Sequence, residues 1–526
     1  MRYRREIDGL RAVAVLPVIL YHAGVTLFGG GYVGVDVFFV ISGYLITTIL
    51  IGDLERGHLS IAHFYERRAR RILPALFPVM LACIPFAYMW MLPQELKNFA
   101  KSLVAVTLFG SNMLFWREDG YFAPAAEMKP LLHTWSLAVE EQYYLLFPLF
   151  LLLVWKLGRR RVFWIVCAIA AASLLLSEWG WRHKPVANFY FAPTRAWELL
   201  AGSICAFVSF GRAQRSSNLL SAAGLLLILA AVFVYDDATP FPSLYALAPV
   251  IGSVLIILFA ADETWVARLL SLRPFVGIGL ISYSAYLWHQ PLFAFARLRS
   301  LTTPAPWLMA ALALLSLALA WASWRYIEQP FRNRRHPFPA TRARVFVASG
   351  VVGALFIAVG LAGYVGKGLP WRSNGVVTMG EIGQRLTQTY GIYQDCDGLF
   401  DAVGHCQTSS TPEVLLWGDS FAMQLAQGIL ASEPDVAMQQ YTNASCSPIL
   451  GIAQVSGKTA DWSRDCIRFN DDVIDWLSTH KSVDVVVLSS PFRSILEKDI
   501  ISSDNSYPDT INRIHYVVHP EQHIAH

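Results

Sequence analysis

Between Asp8 and Leu45 the sequence is almost continuously apolar, and four side chains break it: Arg11, His22, Asp36 and Ser42. A bilayer charges about 2.5–3.5 kcal/mol or more for an ionised centre of this kind, so such residues are usually functional. A neutral imidazole can take a proton from a nucleophile or attack an acyl thioester itself. A guanidinium at a membrane edge can hold phosphate groups. Arg11 and His22 lie 11 residues apart, about 16 Å along a helix, which puts one at the cytoplasmic edge and the other well across. Taken singly, the arginine reads as a snorkelling anchor and the histidine as a packing residue. Taken together, they read as the axis of an active site that crosses the membrane. Gly29-Gly30-Gly31 then turns the chain back and is expected to bring Asp36 toward the pair.

The elements that must position these groups are apolar spans. Of 526 residues, 55% are hydrophobic and only 15% charged, with 17 tryptophans; soluble chains sit nearer a quarter charged. Mean hydropathy is +0.42. Basic residues gather in short clusters beside apolar runs: Arg2-Arg4-Arg5, Arg67-Arg68-Arg70-Arg71, Arg159–Arg161, Arg212-Arg215 and Arg332-Arg334-Arg335. Such clusters mark cytoplasmic loops. Scattered in this way, they do not form a nucleic-acid surface. Roughly 11 crossings are expected, each near ~20 residues. The stretch Asn98–Phe115 is apolar but short, and it carries Lys101, Ser102, Ser111 and Asn112. If it lies along or dips into the outer interface, every later basic cluster falls inside and the C-terminal part falls outside.

The composition changes near Gly368. The chain divides into a membrane domain over 1–335, a loop and linking span over 336–367, a polar connector over 368–410 and an α/β domain over 411–526. The fold class is therefore a polytopic α-helical membrane domain of about ten spans plus one linking span, followed by a partial α/β domain. Glu413–Trp417 reads as a strand running into Gly418-Asp419-Ser420, Phe421–Ala431 as a helix, and Val483–Leu488 as a buried parallel strand. This turn exposes the Ser420 hydroxyl as a candidate nucleophile, with backbone amides beside it for an oxyanion; Asp419 reads as structural. Cys396, Cys406, Cys446 and Cys466 suggest two disulfides and an oxidising compartment. Three connectivities are open, the nearest-neighbour pairing among them. Cys83, Cys167 and Cys205 lie in apolar spans as inert core residues. No metal site is expected.

The segment DGLRAVAVLPVILYHAG resembles the signature of the membrane acyltransferase-3 family. The likeness continues through VGVDVFFVISGYLI (Val33–Ile46), FYERRARRILPAL (Phe64–Leu76), LLHTWSLAVEEQYYLLFP (Leu131–Pro148), YSAYLWHQP (Tyr283–Pro291) and WRYIEQPFR (Trp324–Arg332). The added span and C-terminal domain resemble the subclass with a fused periplasmic SGNH-hydrolase-like domain, associated with O-acetylation of bacterial surface polysaccharides. The resemblance implies a multi-pass inner-membrane enzyme with a cytoplasmic N-terminus. It implies cytoplasmic acetyl-CoA as donor, no permanently bound cofactor, and as acceptor a hydroxyl of a lipid-linked or assembled surface glycan such as lipopolysaccharide O-antigen. Arg67, Arg68, Arg70 and Arg71 suit the phosphates of CoA as well as marking the inner side. Glu140 or Glu141 would orient His22 or the incoming hydroxyl, or else complement a helix dipole on the outer side. Asp36, Arg195 and Glu198 are secondary candidates, His289 reads as structural, and Glu328 with Arg332 would close the inner end of a span.

In the SGNH class an Asp-x-x-His pair completes the serine's triad. Here the C-terminal histidines His515, His519, His523 and His526 follow no such aspartate, so the domain is expected to be truncated or altered and Ser420 to lack its base, with His519 or His523 standing in as the alternative. A rival function is a glycan or acyl-precursor transporter or flippase carrying a vestigial esterase domain. A membrane-tethered esterase accounts for less of the chain.

Overall fold

The computed structural model describes residues 3–518 apart from 119–125, 212–213, 301, 333–337, 339, 374–376, 386–388, 394, 399, 401–404, 456–459 and 493–514. It divides into two compact units, Met1–Gly383 and Gln384–His526.

The first unit is helical: α1 (Arg5–His22), α2 (Gly34–Glu55), α3 (Ile61–Trp90), α4 (Pro93–Thr107), α5 (Ser111–Arg117), α6 (Thr134–Val154), α7 (Arg159–His183), α8 (Pro185–Tyr190), α9 (Ala192–Ser209), α10 (Asn218–Val234), α11 (Leu247–Phe259), α12 (Trp265–Leu270), α13 (Arg273–Arg299), α14 (Pro306–Ala322), α15 (Gln329–Arg332), α16 (Arg342–Val365) and α17 (Met379–Arg385). Among the described residues, six helices are long and apolar enough to cross a membrane, and those starting at Asn218 and Leu244 are shorter apolar helices. Large apolar side chains such as Leu153, Trp164, Leu219 and Trp307 are mostly exposed. Apolar surface on this scale is what lipid contact requires, and the unit is that of a multi-pass membrane protein.

Helix α1 lies inside the bundle, against α13, α2 and α12. Its first turn carries Glu6 and Asp8, which suit the positive end of the helix dipole. Small residues let its neighbours approach closely. At the crossing of α2 and α9, a Cβ on Gly43 would collide with the carbonyl of Leu199, and one on Gly202 with the carbonyl of Val40.

The segment 98–115 is neither one span nor a helix flat on a surface. Helix α4 runs beside α16, so that a Cβ on Gly360 would meet Ala100 and Val104 while one on Gly353 would meet Thr107. The chain turns at Phe109, whose φ is 52°, and α5 returns. Lys101 on the descending arm pairs with Glu118 at the end of the returning one at 2.9 Å. The segment thus enters and leaves at one level.

The second unit is built on three parallel strands in the order β2-β1-β4: β1 (Val414–Gly418), β2 (Met438–Thr442) and β4 (Val485–Ser489). Helix α18 (Ser420–Ser432) follows β1, and α19 (Ala460–Thr479) precedes β4. A two-stranded sheet pairs β3 (Ile452–Val455) antiparallel with β5 (His515–Val518). Leu415, Trp417, Tyr441 and Phe469 are core residues, with Trp417 Nε1 donating to Asn470 at 3.0 Å. The disulfides pair Cys396 with Cys406 and Cys446 with Cys466. The first closes a loop lying along β2, where the Gln440 amide donates to the Cys406 carbonyl; that part of the expected connector is sheet edge. One expectation needs correction. The strand at Val485–Ser489 is parallel as read, but Val485, Val486 and Leu488 are exposed rather than buried among the described residues. Continuous β-branched sequence signals a strand without saying what covers it.

Gly202→Val should drive a side chain into the Val40 backbone, costing about 1–3 kcal/mol or more. A lower melting temperature of the detergent-solubilised protein would show it, and an unchanged one would contradict this helix contact.

Candidate active site

A cavity of about 820 Å³ opens in the first unit among α1, α2, α3, α6 and α13. Six arginines line it (Arg11, Arg67, Arg68, Arg70, Arg71 and Arg332) against four carboxylates (Asp8, Glu66, Glu140 and Glu141). The pairings sort these charges. Arg11 donates to Asp8 at 2.8 Å, and Asp8 also accepts from Tyr3. Arg67 pairs with Asp53 at 3.3 Å and Arg70 with Glu66 at 3.0 Å, so helix α3 ties two of its four arginines to carboxylates. Arg332 pairs with Glu328 at 3.1 Å, as expected for the inner end of that span, and a π-helical stretch, Ser323–Glu328, sets the turn. Arg68 is held between the rings of Phe64 and Tyr144, 5.8 Å from each, and its Nε has no partner. Among the described residues Arg68 and Arg71 carry no such ion pair, and both line the cavity. They are therefore the guanidiniums best placed for an anionic guest.

Glu140 and Glu141 sit nearly two turns into α6, on the cavity wall and not at the outer helix end. Glu140 accepts from Ser42 and Tyr144. Glu141 keeps a buried Oε1 with no partner. Neither orients His22, which corrects that expectation: a two-turn step along α6 carries both carboxylates to the arginine side.

Asp36, Arg195 and Glu198 form a separate buried cluster. Arg195 Nη1 reaches Asp36 at 3.2 Å and Glu198 at 2.9 Å. Its guanidinium is enclosed by the rings of Phe39, Trp135, Phe189 and Phe241 at 5.4–5.5 Å for three of them and 5.9 Å for Phe189. None of the three residues lines the cavity. The glycine turn does return Asp36, but to Arg195 and not to Arg11 or His22. A guanidinium and two carboxyls buried in an apolar bundle are stable only by meeting one another.

His22 ends α1. Its Nδ1 is 2.9 Å from the Val18 carbonyl, which can only accept, so Nδ1 carries the proton and Nε2 is the free base. Its own carbonyl accepts from Arg297 at 2.6 Å. The ring of His289 lies 5.2 Å away, and His133 lies 5.5 Å beyond it. These two histidines escaped the sequence reading, one taken as structural and the other passed over inside LLHTWSL. The signal was present: each is an ionisable residue in an apolar stretch. His22 does not itself line the cavity. Between them stands Tyr286, whose hydroxyl is 2.7 Å from Ser136 Oγ and 3.0 Å from the His133 carbonyl. Among the described residues no cluster could hold a metal ion.

In the second unit Gly418 leads β1 into α18. A Cβ there would collide with the Ser489 carbonyl, so only glycine fits the turn. Asp419 caps the helix, accepting from the Phe421 amide at 2.9 Å and from Ser490 at 2.7 Å. Burial raises its carboxyl above the usual range, while these hydrogen bonds oppose the rise. Ser420 is the first helical residue and half-buried. The two histidines of this unit whose side chains are described are engaged elsewhere: His405 with Asp395, and His480 with Trp476 and Thr479. His515 opens β5, where only the backbone is described, and His519, His523 and His526 lie outside the described residues.

These features define a multi-pass membrane protein with a charged intramembrane site, joined to an α/β unit bearing a strand-to-helix serine. The chain belongs to the acyltransferase-domain family, whose model matches residues 4–325, and the SGNH domain found fused to such domains matches residues 394–521. Peptidoglycan O-acetyltransferase OatA of Listeria monocytogenes is 33% identical over 353 residues, 63% of this chain and 56% of that protein. The putative peptidoglycan O-acetyltransferase YrhL of Bacillus subtilis is 31% identical over 372 residues, covering 66% and 57%. O-acetyltransferase OatA of Staphylococcus aureus is 30% identical over 351 residues, covering 63% and 58%. The chain thus spans a little over half the length of these relatives. No solved structure matches it.

Removing Arg195 should strand two buried carboxylates. Arg195→Ala should cost about 3–5 kcal/mol and lower the yield of folded protein, read by size-exclusion chromatography of the solubilised protein. Arg67→Ala, at a partly exposed pair, should leave that profile near wild type.

Proposed function

We propose that the protein is a transmembrane O-acetyltransferase moving an acetyl group from cytoplasmic acetyl-CoA to a hydroxyl of an extracytoplasmic cell-surface polysaccharide. The observation that carries this is the cavity, where Arg68 and Arg71 carry no ion pair among the described residues and Tyr286, on the wall, has its ring 5.3 Å from that of His289, itself 5.2 Å from His22. Its size falls within the range of pockets that enclose a cofactor-sized ligand. CoA phosphates would sit among the arginines and the pantetheine arm would run toward His22. Peptidoglycan, named in two of the relatives, and O-antigen-type glycans are the candidate acceptors. Ser420 would take part in delivery to the glycan.

The membrane is the bacterial inner membrane. On the expected count of about 11 crossings, with 98–115 not counted as one, the arginine mouth would face the cytoplasm and the four-cysteine unit the periplasm. Disulfides formed there suit that oxidising compartment.

Two measurements test this reading. His22→Ala should abolish glycan acetylation followed by mass spectrometry in cells expressing the protein. Arg68→Ala and Arg71→Ala should each weaken acetyl-CoA binding about tenfold or more, since a charge-assisted hydrogen bond contributes about 1.5–3 kcal/mol, whereas Arg67→Ala should have little effect. Retained acetylation in the histidine variant would reject the assignment. Periplasmic reporters fused after Gly368 should be active and those at Arg160 silent; activity at Arg160 would overturn the topology.

A further inference from the structure

The histidine group beyond the cavity holds more basic nitrogen than one catalytic base needs. His289 is completely buried, and its Nδ1 lies 2.6 Å from the Tyr286 carbonyl one turn earlier on α13. A carbonyl only accepts, so Nδ1 carries the proton and Nε2 presents a lone pair. That Nε2 is buried with no partner among the described residues. His22 resembles it: its Nδ1 is tied to the Val18 carbonyl of its own helix, which leaves the lone pair on Nε2. Two helices thus present matched imidazoles with ring centroids 5.2 Å apart. His133, only 4% exposed, has both ring nitrogens without a partner among the described residues, and its ring lies 5.5 Å from that of His289. A neutral imidazole offers one N–H and one lone pair, and in His133 both are unmet.

Buried polar atoms of native proteins are nearly always hydrogen-bonded, so three ring nitrogens on two adjacent imidazoles, unmet among the described residues, point to a guest. The guest must donate to the free Nε2 lone pairs, and it gains from accepting an N–H. A hydroxyl group does both. A phosphate or carboxylate would confront lone pairs; the guanidinium at this end, Arg297, is committed to Glu127 at 3.0 Å and to the His22 carbonyl, and six other arginines line the cavity.

We infer that His22, His133 and His289 form a hydroxyl-binding centre in which His289 is the base for the acyl acceptor. This rests on the acetyl-transfer reading above and extends it to the second half of the reaction. In the first half, the Nε2 lone pair of His22 forms a C–N bond to the acetyl carbon. The C–S bond breaks, and its electron pair leaves on the CoA sulfur. In the second half, the acceptor hydroxyl oxygen forms a C–O bond to the acetyl carbon as the C–N bond breaks and its electrons return to His22. The hydroxyl proton passes to Nε2 of His289. This proton balances the one that the CoA thiolate takes up to become a thiol. His133 is a positioning residue whose N–H and lone pair fix the hydroxyl between the two bases. The acceptor class is an alcohol, either a sugar hydroxyl or a serine.

The test uses the full chain in detergent or nanodiscs with acetyl-labelled CoA and an oligosaccharide of N-acetylated amino sugars. His289→Gln keeps a polar side chain without the base. It should still release about one equivalent of CoA per protein, with acetyl held at His22, while transfer to the oligosaccharide falls about 10²-fold or more, the usual contribution of a general base. Wild-type transfer in this variant would overturn the inference. So would equal loss of CoA release and transfer with an unchanged melting temperature, because the defect would then precede the hydroxyl step. Ser420→Ala separates the two alcohols: transfer that survives it uses the sugar hydroxyl directly, and transfer that is lost uses the serine. A second measurement does not depend on activity. In histidine-labelled protein, nitrogen NMR should show Nε2 of both His22 and His289 as unprotonated; a protonated Nε2 at His289 would overturn the proposal by itself. If wild-type protein releases no CoA while both nitrogens are unprotonated, the acetyl-transfer reading fails and the paired-base centre stands.

Discussion

Taking an ionised group out of water costs several kcal/mol even after the protein relaxes, and an apolar bundle recovers that cost only where opposite charges and hydrogen bonds meet it. The first unit sorts its charges by this constraint. Arg195 is locked between Asp36 and Glu198 inside an aromatic enclosure, where it joins α2 and α9. Arg11, Arg67, Arg70 and Arg332 each have a carboxylate. Buried polar atoms without a partner among the described residues occur in several places, the Arg195 cluster included; those that border the cavity or the histidine group are Arg68 Nε, Glu141 Oε1, both ring nitrogens of His133 and Nε2 of His289. At these positions a guest can supply the missing hydrogen bonds.

The same constraint shows why four neighbouring arginines on one helix are not equivalent. Residues 67 and 70 are three apart and residues 68 and 71 are three apart, so each pair shares a face. The first pair is anchored through Asp53 and Glu66, which fixes the helix end. All four line the cavity, but Arg68 and Arg71 do so without an ion pair among the described residues. The anchored pair holds the free pair in place, so binding energy is not spent on ordering a mobile, basic segment.

Much of this was legible in the sequence, but unevenly. Apolar period and basic punctuation located the helices, and the strand-to-helix turn at Gly418-Asp419-Ser420 stood out because its residue types are so restricted. Arg11 and His22 were visible because each interrupts an apolar run. The sequence could not say which intramembrane ion meets which. Asp36 is near His22 in the chain, yet it is bound to Arg195, 159 residues away. His289 and His133 were undervalued for a related reason: a histidine among aromatic residues resembles a packing residue until its ring nitrogens are found without partners. The dip at 98–115 illustrates a third case. Its polar residues argued against a full crossing, but only the Lys101–Glu118 pairing distinguishes a hairpin from a surface helix.

Ser136 and Tyr286 line the cavity and His22 does not; His289 lies between the rings of Tyr286 and His22. On the proposed reading this separation follows from what must cross. The nucleotide end of CoA carries several negative charges, and moving even one through hydrocarbon costs about 2.5–3.5 kcal/mol or more. An acetyl group is neutral and two carbons long. If the arginines keep the phosphates at the inner mouth, only the acyl end needs to pass the Tyr286 layer, and that passage breaks hydrogen bonds of about 0.5–1.5 kcal/mol each. The Tyr286 hydroxyl, 2.7 Å from Ser136 Oγ and 3.0 Å from the His133 carbonyl, closes the route with such bonds instead of with bulk. A barrier made in this way excludes ions at all times and admits a small neutral group at modest cost. That is the selectivity a membrane needs if it is to pass an acyl group and nothing else.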